Sequence, residues 1–161
     1  MKLQKNTRLA LYSVLEFAMD PTRHVAAAEI ATKYGVSPHH LAKVLSELAR
    51  AGVVESVRGV GGGYRFAGNA RRLTLMDVIR MFEELSGSDG ERREPGERTP
   101  VGRALSAVLS EIDEIATATF SSITLATMLR LLERQQRQAT TAARRSGRAE
   151  QAAARRAARR D

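Results

Sequence analysis

His39, His40, Lys43, Ser46, Glu47 and Arg50 follow one another at spacings of one and three residues, which collects side chains on one side of a helix. Each carries a hydrogen-bonding group, and none is a nucleophile with a base beside it. The chemistry open to such a set is recognition: these groups can bond phosphate oxygens and the donors and acceptors on base edges in a DNA groove. A second candidate follows closely. Arg58 precedes Gly59-Val60-Gly61-Gly62-Gly63. Gly61 and Gly62 would let the backbone of such a turn approach a phosphate chain, and the arginine suits a narrow minor groove. On an arbitrary helix a polar face is simply solvated; the glycine turn behind it makes recognition the better reading.

Other chemistries find less support. His39 and His40 are adjacent, so on a helix they point about 100° apart and share one ion poorly. His24 is distant, and the chain has no cysteine to complete a zinc site. Neither a metal nor another cofactor is expected. The carboxylates gather at Asp89, Glu91, Glu94 and Glu97 and at Glu111, Asp113 and Glu114, without a nucleophile or base. An enzyme is therefore not expected. The glycine run joins strand to strand and opens no helix, so it is not a dinucleotide fingerprint.

The net charge of +8 over 161 residues points to a polyanionic partner, but unevenly. Residues 130–161 hold ten Arg against Glu133, Glu150 and Asp161, whereas the other 129 residues are nearly balanced at +1. Charge alone therefore does not assign nucleic-acid binding to the folded part. No basic start leads into an apolar run, and no stretch of about 18 apolar residues occurs. A cytoplasmic protein with no membrane association is expected.

The elements that must position these residues follow from periodicity. Leu11, Val14, Leu15 and Ala18 form a first helical stripe; Ala27, Ile30, Ala31 and Tyr34 a second, stopped by Gly35. Leu41, Val44, Leu45 and Leu48 form the third, with Ser37 as N-cap, Pro38 in the first turn and Gly52 as terminator. The run 53–58 and Tyr64-Arg65-Phe66 read as a hairpin. Thr74 and Asp77 predict a capping box for a fourth helix burying Leu75, Val78, Ile79 and Phe82, with Met76 and Met81 in its core or rim. Residues 86–100 carry no hydrophobic side chain and read as a mobile loop.

Thr99-Pro100 opens a long helix in which Val101, Leu105, Val108, Ile112, Ile115 and Thr119 are spaced 4, 3, 4, 3, 4, a heptad seam suited to dimerisation. Leu109, Ala116 and Phe120 form a second stripe, so that one face can meet the chain's own domain and the other a partner. Ser121-Ser122 breaks the pattern, and Thr124 caps a last helix. The fold class is mainly α with a small β-hairpin wing: a winged helix-turn-helix over 1–84, a flexible loop over 85–100, a dimerisation helix and C-terminal helix over 101–138, and a disordered Arg/Ala-rich tail over 139–161.

Several segments resemble one family. Ala28-Glu29-Ile30-Ala31, Val36-Ser37-Pro38 with Leu41-Ala42-Lys43-Val44, the run Leu48 to Gly59 followed by Gly61-Gly62-Gly63-Tyr64, and Leu73-Thr74-Leu75-Met76-Asp77-Val78-Ile79 are similar to the Rrf2 family of bacterial transcription regulators. The resemblance covers roughly residues 1–130. It implies a homodimer whose long helix crosses its twin and places two winged helices on a palindromic operator of double-stranded DNA. By position, Ser37, His39, His40 and Lys43 would meet bases and phosphates, and Arg58 would be the minor-groove arginine. Cluster-binding members carry three cysteines before the dimerisation helix, and nitric-oxide sensors an acidic residue in the first helix, where Arg8 stands near the matching position here. The resemblance thus implies a regulator, expected to be a repressor, without a cysteine-ligated iron–sulfur cluster, whose protein or small-molecule effector is not legible. A protein-interaction module, and a nonspecific nucleic-acid binder using the basic tail, are the alternatives.

Overall fold

The computed structural model describes residues 3–59, 61–83 and 95–157. It divides into two compact units, Met1–Thr127 and Met128–Asp161.

In the first unit, α1 (Lys5–Met19), α2 (Ala27–Tyr34) and α3 (Pro38–Arg50) precede a hairpin of β1 (Val54–Val57) and β2 (Gly63–Phe66). Then come α4 (Leu75–Arg80), a 3-10 turn (Pro95–Arg98), α5 (Pro100–Ser122) and the start of α6 (Leu125–Ala157). The core lies where α1 packs on α3, α4 and β2. Phe17, Leu41, Leu45, Leu48, Met76 and Ile79 are among its fully buried side chains. The burying face of α1 is partly turned from the expected one: Val14 and Ala18 are enclosed as expected, but with Ala10 and Phe17 rather than Leu11 and Leu15, which are half-buried. Phe17 carries the largest apolar surface in α1, and burying it sets the rotation of the helix.

Caps set the helix ends. The Ser37 hydroxyl accepts from the His40 backbone N–H at 3.2 Å, with Pro38 in the first turn of α3. Thr74 and Asp77 complete both halves of a capping box on α4, and Thr99 accepts from the Gly102 N–H at the start of α5. In α4, Leu75, Met76, Val78 and Ile79 are buried, whereas Phe82, expected among them, lies just past the helix and is half-buried. Of the segment expected to be a mobile loop, residues 86–94 lie outside those described; Pro95–Arg98 form the 3-10 turn leading into the Thr99 cap.

The hairpin is antiparallel, pairing Val54 with Phe66 and Val57 with Gly63. Val25, ahead of α2, adds a third edge: its N–H and C=O each bond Tyr64 at 2.9 Å. A second isolated bridge, Thr74 with Thr124, ties the α5–α6 corner to the head of α4, with Leu75 N–H bonding Ile123 C=O and Leu125 N–H bonding Leu73 C=O.

The second unit is the body of α6. A disordered tail is expected after Gln138, but helix continues to Ala157. The segment is rich in Ala, Arg and Gln, which extend a helix by intrinsic propensity without any large apolar stripe.

Candidate nucleic-acid interface

The buried stripe of α3 fixes what its other side presents. With Leu41, Val44, Leu45 and Leu48 enclosed, His39, Ala42, Lys43, Ser46 and Arg50 are exposed and Glu47 is half-buried. An open hollow of about 510 Å³ lies along this face, bordered by Asn6 of α1, by His39, Lys43, Ser46 and Glu47, and by Phe82 beyond α4. Glu47 and Arg50 pair at 2.9 Å one helical turn apart, so the end of the face is near charge balance while Lys43 keeps its charge toward solvent.

The two histidines part company. His39 is exposed, but His40, one position round the helix, turns toward the core flank. Its Nε2 is buried with no hydrogen-bond partner among the described residues, and its backbone N–H is taken by the Ser37 cap. Ser37 is exposed, its oxygen engaged with that N–H.

In the wing, Glu55 and Arg65 face each other across the strands as an ion pair. Arg58, just beyond β1, is exposed and makes no ion pair among the described residues. Gly61 is exposed and Gly62 half-buried. The glycines here answer a packing demand. A Cβ on Gly62 would sit 2.3 Å from the Val57 oxygen, and one on Gly63 would sit 2.5 Å from the Val25 oxygen. Only glycine lets the wing close on itself and on the Val25 edge. Tyr64 completes the anchor, its ring 6.2 Å from that of Phe17.

A polar lock holds α2 against α1. Tyr12 and Tyr34 stack at 4.8 Å, the Tyr34 hydroxyl donates to Glu16 at 2.6 Å, and Lys33 reaches the same carboxylate at 2.5 Å. Burial works to raise the Glu16 carboxyl, but the hydrogen bonds from Lys33 and Tyr34 and the Lys33 charge outweigh it and hold the group below its ordinary value. Burial and the adjoining carboxylate push the Tyr34 phenol up. Sequence reasoning missed both this lock and the Val25 edge.

The dimerisation candidates all lie on α5, where no side chain is buried. Val101, Leu105, Val108, Ile112 and Ile115 are each about half exposed or more, and Thr119 is exposed with its hydroxyl bonded back to Ile115 C=O. Leu109, expected on the face turned to its own domain, is 51% exposed. α5 meets α4, and its half-buried positions include Gly102, Ser106, Ala116 and Phe120, which leaves Leu109 outside the contact.

The model of the Rrf2 family, described as iron-dependent transcriptional regulators, matches residues 3–131. The HTH-type transcriptional regulator BadM of Rhodopseudomonas palustris is 48% identical over 137 residues, 85% of this chain and 86% of that one. Among solved structures, CymR, the global cysteine regulator of B. subtilis, aligns with a TM-score of 0.64 and 26% identity over 81% of this chain and 98% of its own. IscR of T. potens aligns with a TM-score of 0.62 and 28% identity, covering 84% and 91%.

The family description raises the question of iron. The chain has no cysteine, and the described residues contain no group of three or more His, Asp or Glu placed to hold a metal ion. These residues do not fit a thiolate-held iron–sulfur cluster. Nor is any helix among the described residues long and apolar enough to cross a membrane. With the family model matching across the winged helix and α5, the chain belongs to the Rrf2 family of DNA-binding, non-enzymatic transcription regulators.

Proposed function

We propose that this chain is a cytoplasmic, sequence-specific repressor that binds a palindromic site on double-stranded DNA as a homodimer, and that it does so without a cysteine-ligated iron–sulfur cluster. Residues 1–84 form the DNA-binding domain in this reading, 85–100 a connecting loop and 101–138 the dimerisation region.

The observation that carries it is the pairing of two features in one unit: an exposed donor face on α3 and an unpaired, exposed Arg58 on a wing anchored through Tyr64. His39 and Lys43 reach base edges and phosphates, Ser37 and the first turn of α3 lie against the backbone, and Arg58 enters the minor groove beside Gly61 and Gly62. His40 supports the α3 N-terminus, and its ring takes a smaller part than that of His39. The dimer is supported by α5, whose heptad seam exposes five large apolar side chains, Val101, Leu105, Val108, Ile112 and Ile115, in one stripe over four turns. A second copy of the same seam is its natural cover.

Selection from random-sequence duplexes with the full chain tests the reading. It should recover an inverted repeat with half-sites centred one helical turn, about 34 Å, or a multiple of it apart. Recovery of no shared motif, or of a motif without two-fold symmetry, would overturn it.

A further inference from the structure

The arginines of α6 fall into register. At 100° per residue, positions 130, 134, 137, 144, 148 and 155 share a sector about 80° wide, and positions 145 and 156 flank it. Of the two acidic positions of the helix, 133 borders that sector about 20° from its edge and 150 lies on the opposite side. Arg134, Arg137 and Arg144 are exposed. The rise of 1.5 Å per residue makes the row from position 130 to 155 about 38 Å long, a little over one turn of duplex DNA.

The rest of the helix narrows what such a row can meet. After Leu132 the segment to Ala157 contains only Ala, Gly, Ser, Thr, Gln, Glu and Arg. It has no Leu, Phe or Trp to enter a lipid surface, as a membrane-lying helix needs, and no aromatic anchor of the kind that dominates protein interfaces. What it offers is arginine at register positions three, four and seven residues apart on one sector of the helix, a pattern suited to a partner with repeated single anions.

We propose that α6 is a second DNA-binding element, whose arginine row engages the phosphates of duplex DNA without reading sequence. It takes DNA as the polyanion from the reading under Proposed function, and differs from it in needing no base contact and no palindrome. The winged helix chooses the site; α6 adds salt-dependent affinity common to every duplex.

The test uses the full chain and a variant with Arg134, Arg137, Arg144, Arg148 and Arg155 changed to Gln, which is close to Arg in helix propensity. Binding to a random-sequence duplex and to the selected operator is measured from 50 to 200 mM salt. Each lost phosphate contact lowers the slope of log K against log salt by about 0.9, so the Gln variant should lose about 3–4.5 in slope. It should weaken on both duplexes by the same factor, tenfold or more, with the operator preference kept. The matching Arg→Lys variant should keep the slope and guards against a merely unfolded helix. An unchanged slope overturns the proposal, as does a loss confined to operator preference, or a slope lost equally in the Lys variant. An acidic peptide or anionic vesicle that loses binding while duplex DNA does not would also overturn it. If the wild-type chain prefers no sequence but the slope still falls, α6 stands and the sequence-specific reading fails.

Discussion

Val25 and Tyr64 exchange both backbone hydrogen bonds, each at 2.9 Å, and so join the segment before α2 to the second strand of the wing. Neither residue is on the α3 face proposed to meet DNA, yet together they set where the wing stands relative to the helix-turn-helix. The approach is close enough that Gly63, next to Tyr64, has no room for a side chain.

Gly63→Ala should accordingly destabilise the fold by about 1–3 kcal/mol, because the added methyl meets backbone rather than a side chain that can move. Urea denaturation reads this directly. A loss below about 0.3 kcal/mol would mean that the Val25 edge gives way and does not fix the wing.

What the sequence disclosed divides along physical lines. The enclosed stripe of α3, its Ser37 cap and the Thr74–Asp77 box were legible, because each is a local pattern with its own energy. Val25 was not: a single bridging residue has no period, and its partner lies 39 positions away. His40 was placed with His39 on the face opposite the buried stripe of α3, although one step along a helix is enough to turn a ring from solvent to the core flank. The reach of α6 was missed because the tail was judged by large apolar residues, whereas Ala, Arg and Gln hold a helix by propensity. Leu109 shares a helix face with the half-buried Ala116 and Phe120, as its spacing implies, yet is itself 51% exposed, because a stripe gives the face of a helix and not how far along it the contact runs.

Thr74→Ala removes one half of the capping box and weakens the corner where Thr74 bridges Thr124. A loss of about 1–2 kcal/mol is expected, toward the upper end for a single cap because Asp77 loses its partner hydroxyl as well. Thermal or urea unfolding checks this. A change no larger than that of the exposed Thr32 would show that the cap contributes nothing.

The Glu16 lock has a pH signature. The folded state holds the Glu16 carboxyl below its ordinary value, so its contribution is present above the unfolded pKa and is lost as pH falls through the folded one. The wild-type chain should therefore lose stability on the acid side of about pH 4.5 more steeply than Glu16→Gln does. Tyr34→Phe, which removes the donor, should cost about 0.5–1.5 kcal/mol at neutral pH and flatten the same acid limb. Parallel acid limbs in wild type and both variants would exclude the lock from the pH dependence.

Arg58 and Arg65 stand seven residues apart in the wing with different surroundings: Arg65 is paired with Glu55, and Arg58 is exposed beyond the strand. Arg58→Ala should weaken operator binding by about 1–3 kcal/mol with folding and assembly unchanged. Arg65→Ala should act mainly on wing stability. Equal binding by the Arg58 variant, measured by titration on the selected operator, would remove the wing tip from the interface.

The seam of α5 can be tested against the dimer it is proposed to form. Val108 and Ile112 lie one turn apart near the middle of the helix, each about half exposed, with no buried neighbour on α5 to fold against. Changing both to Glu places two carboxylates in the proposed contact and opposes them to two more from the twin, a repulsion that desolvation would magnify. Because neither side chain supports the core of its own chain, the winged helix should keep its secondary structure while sedimentation reports a monomer. Operator affinity should then drop steeply, since a single winged helix reads one half-site and loses the second by chain separation. A variant that still sediments as a dimer would place the interface elsewhere, and a monomer that binds the operator as well as wild type would remove dimerisation from recognition.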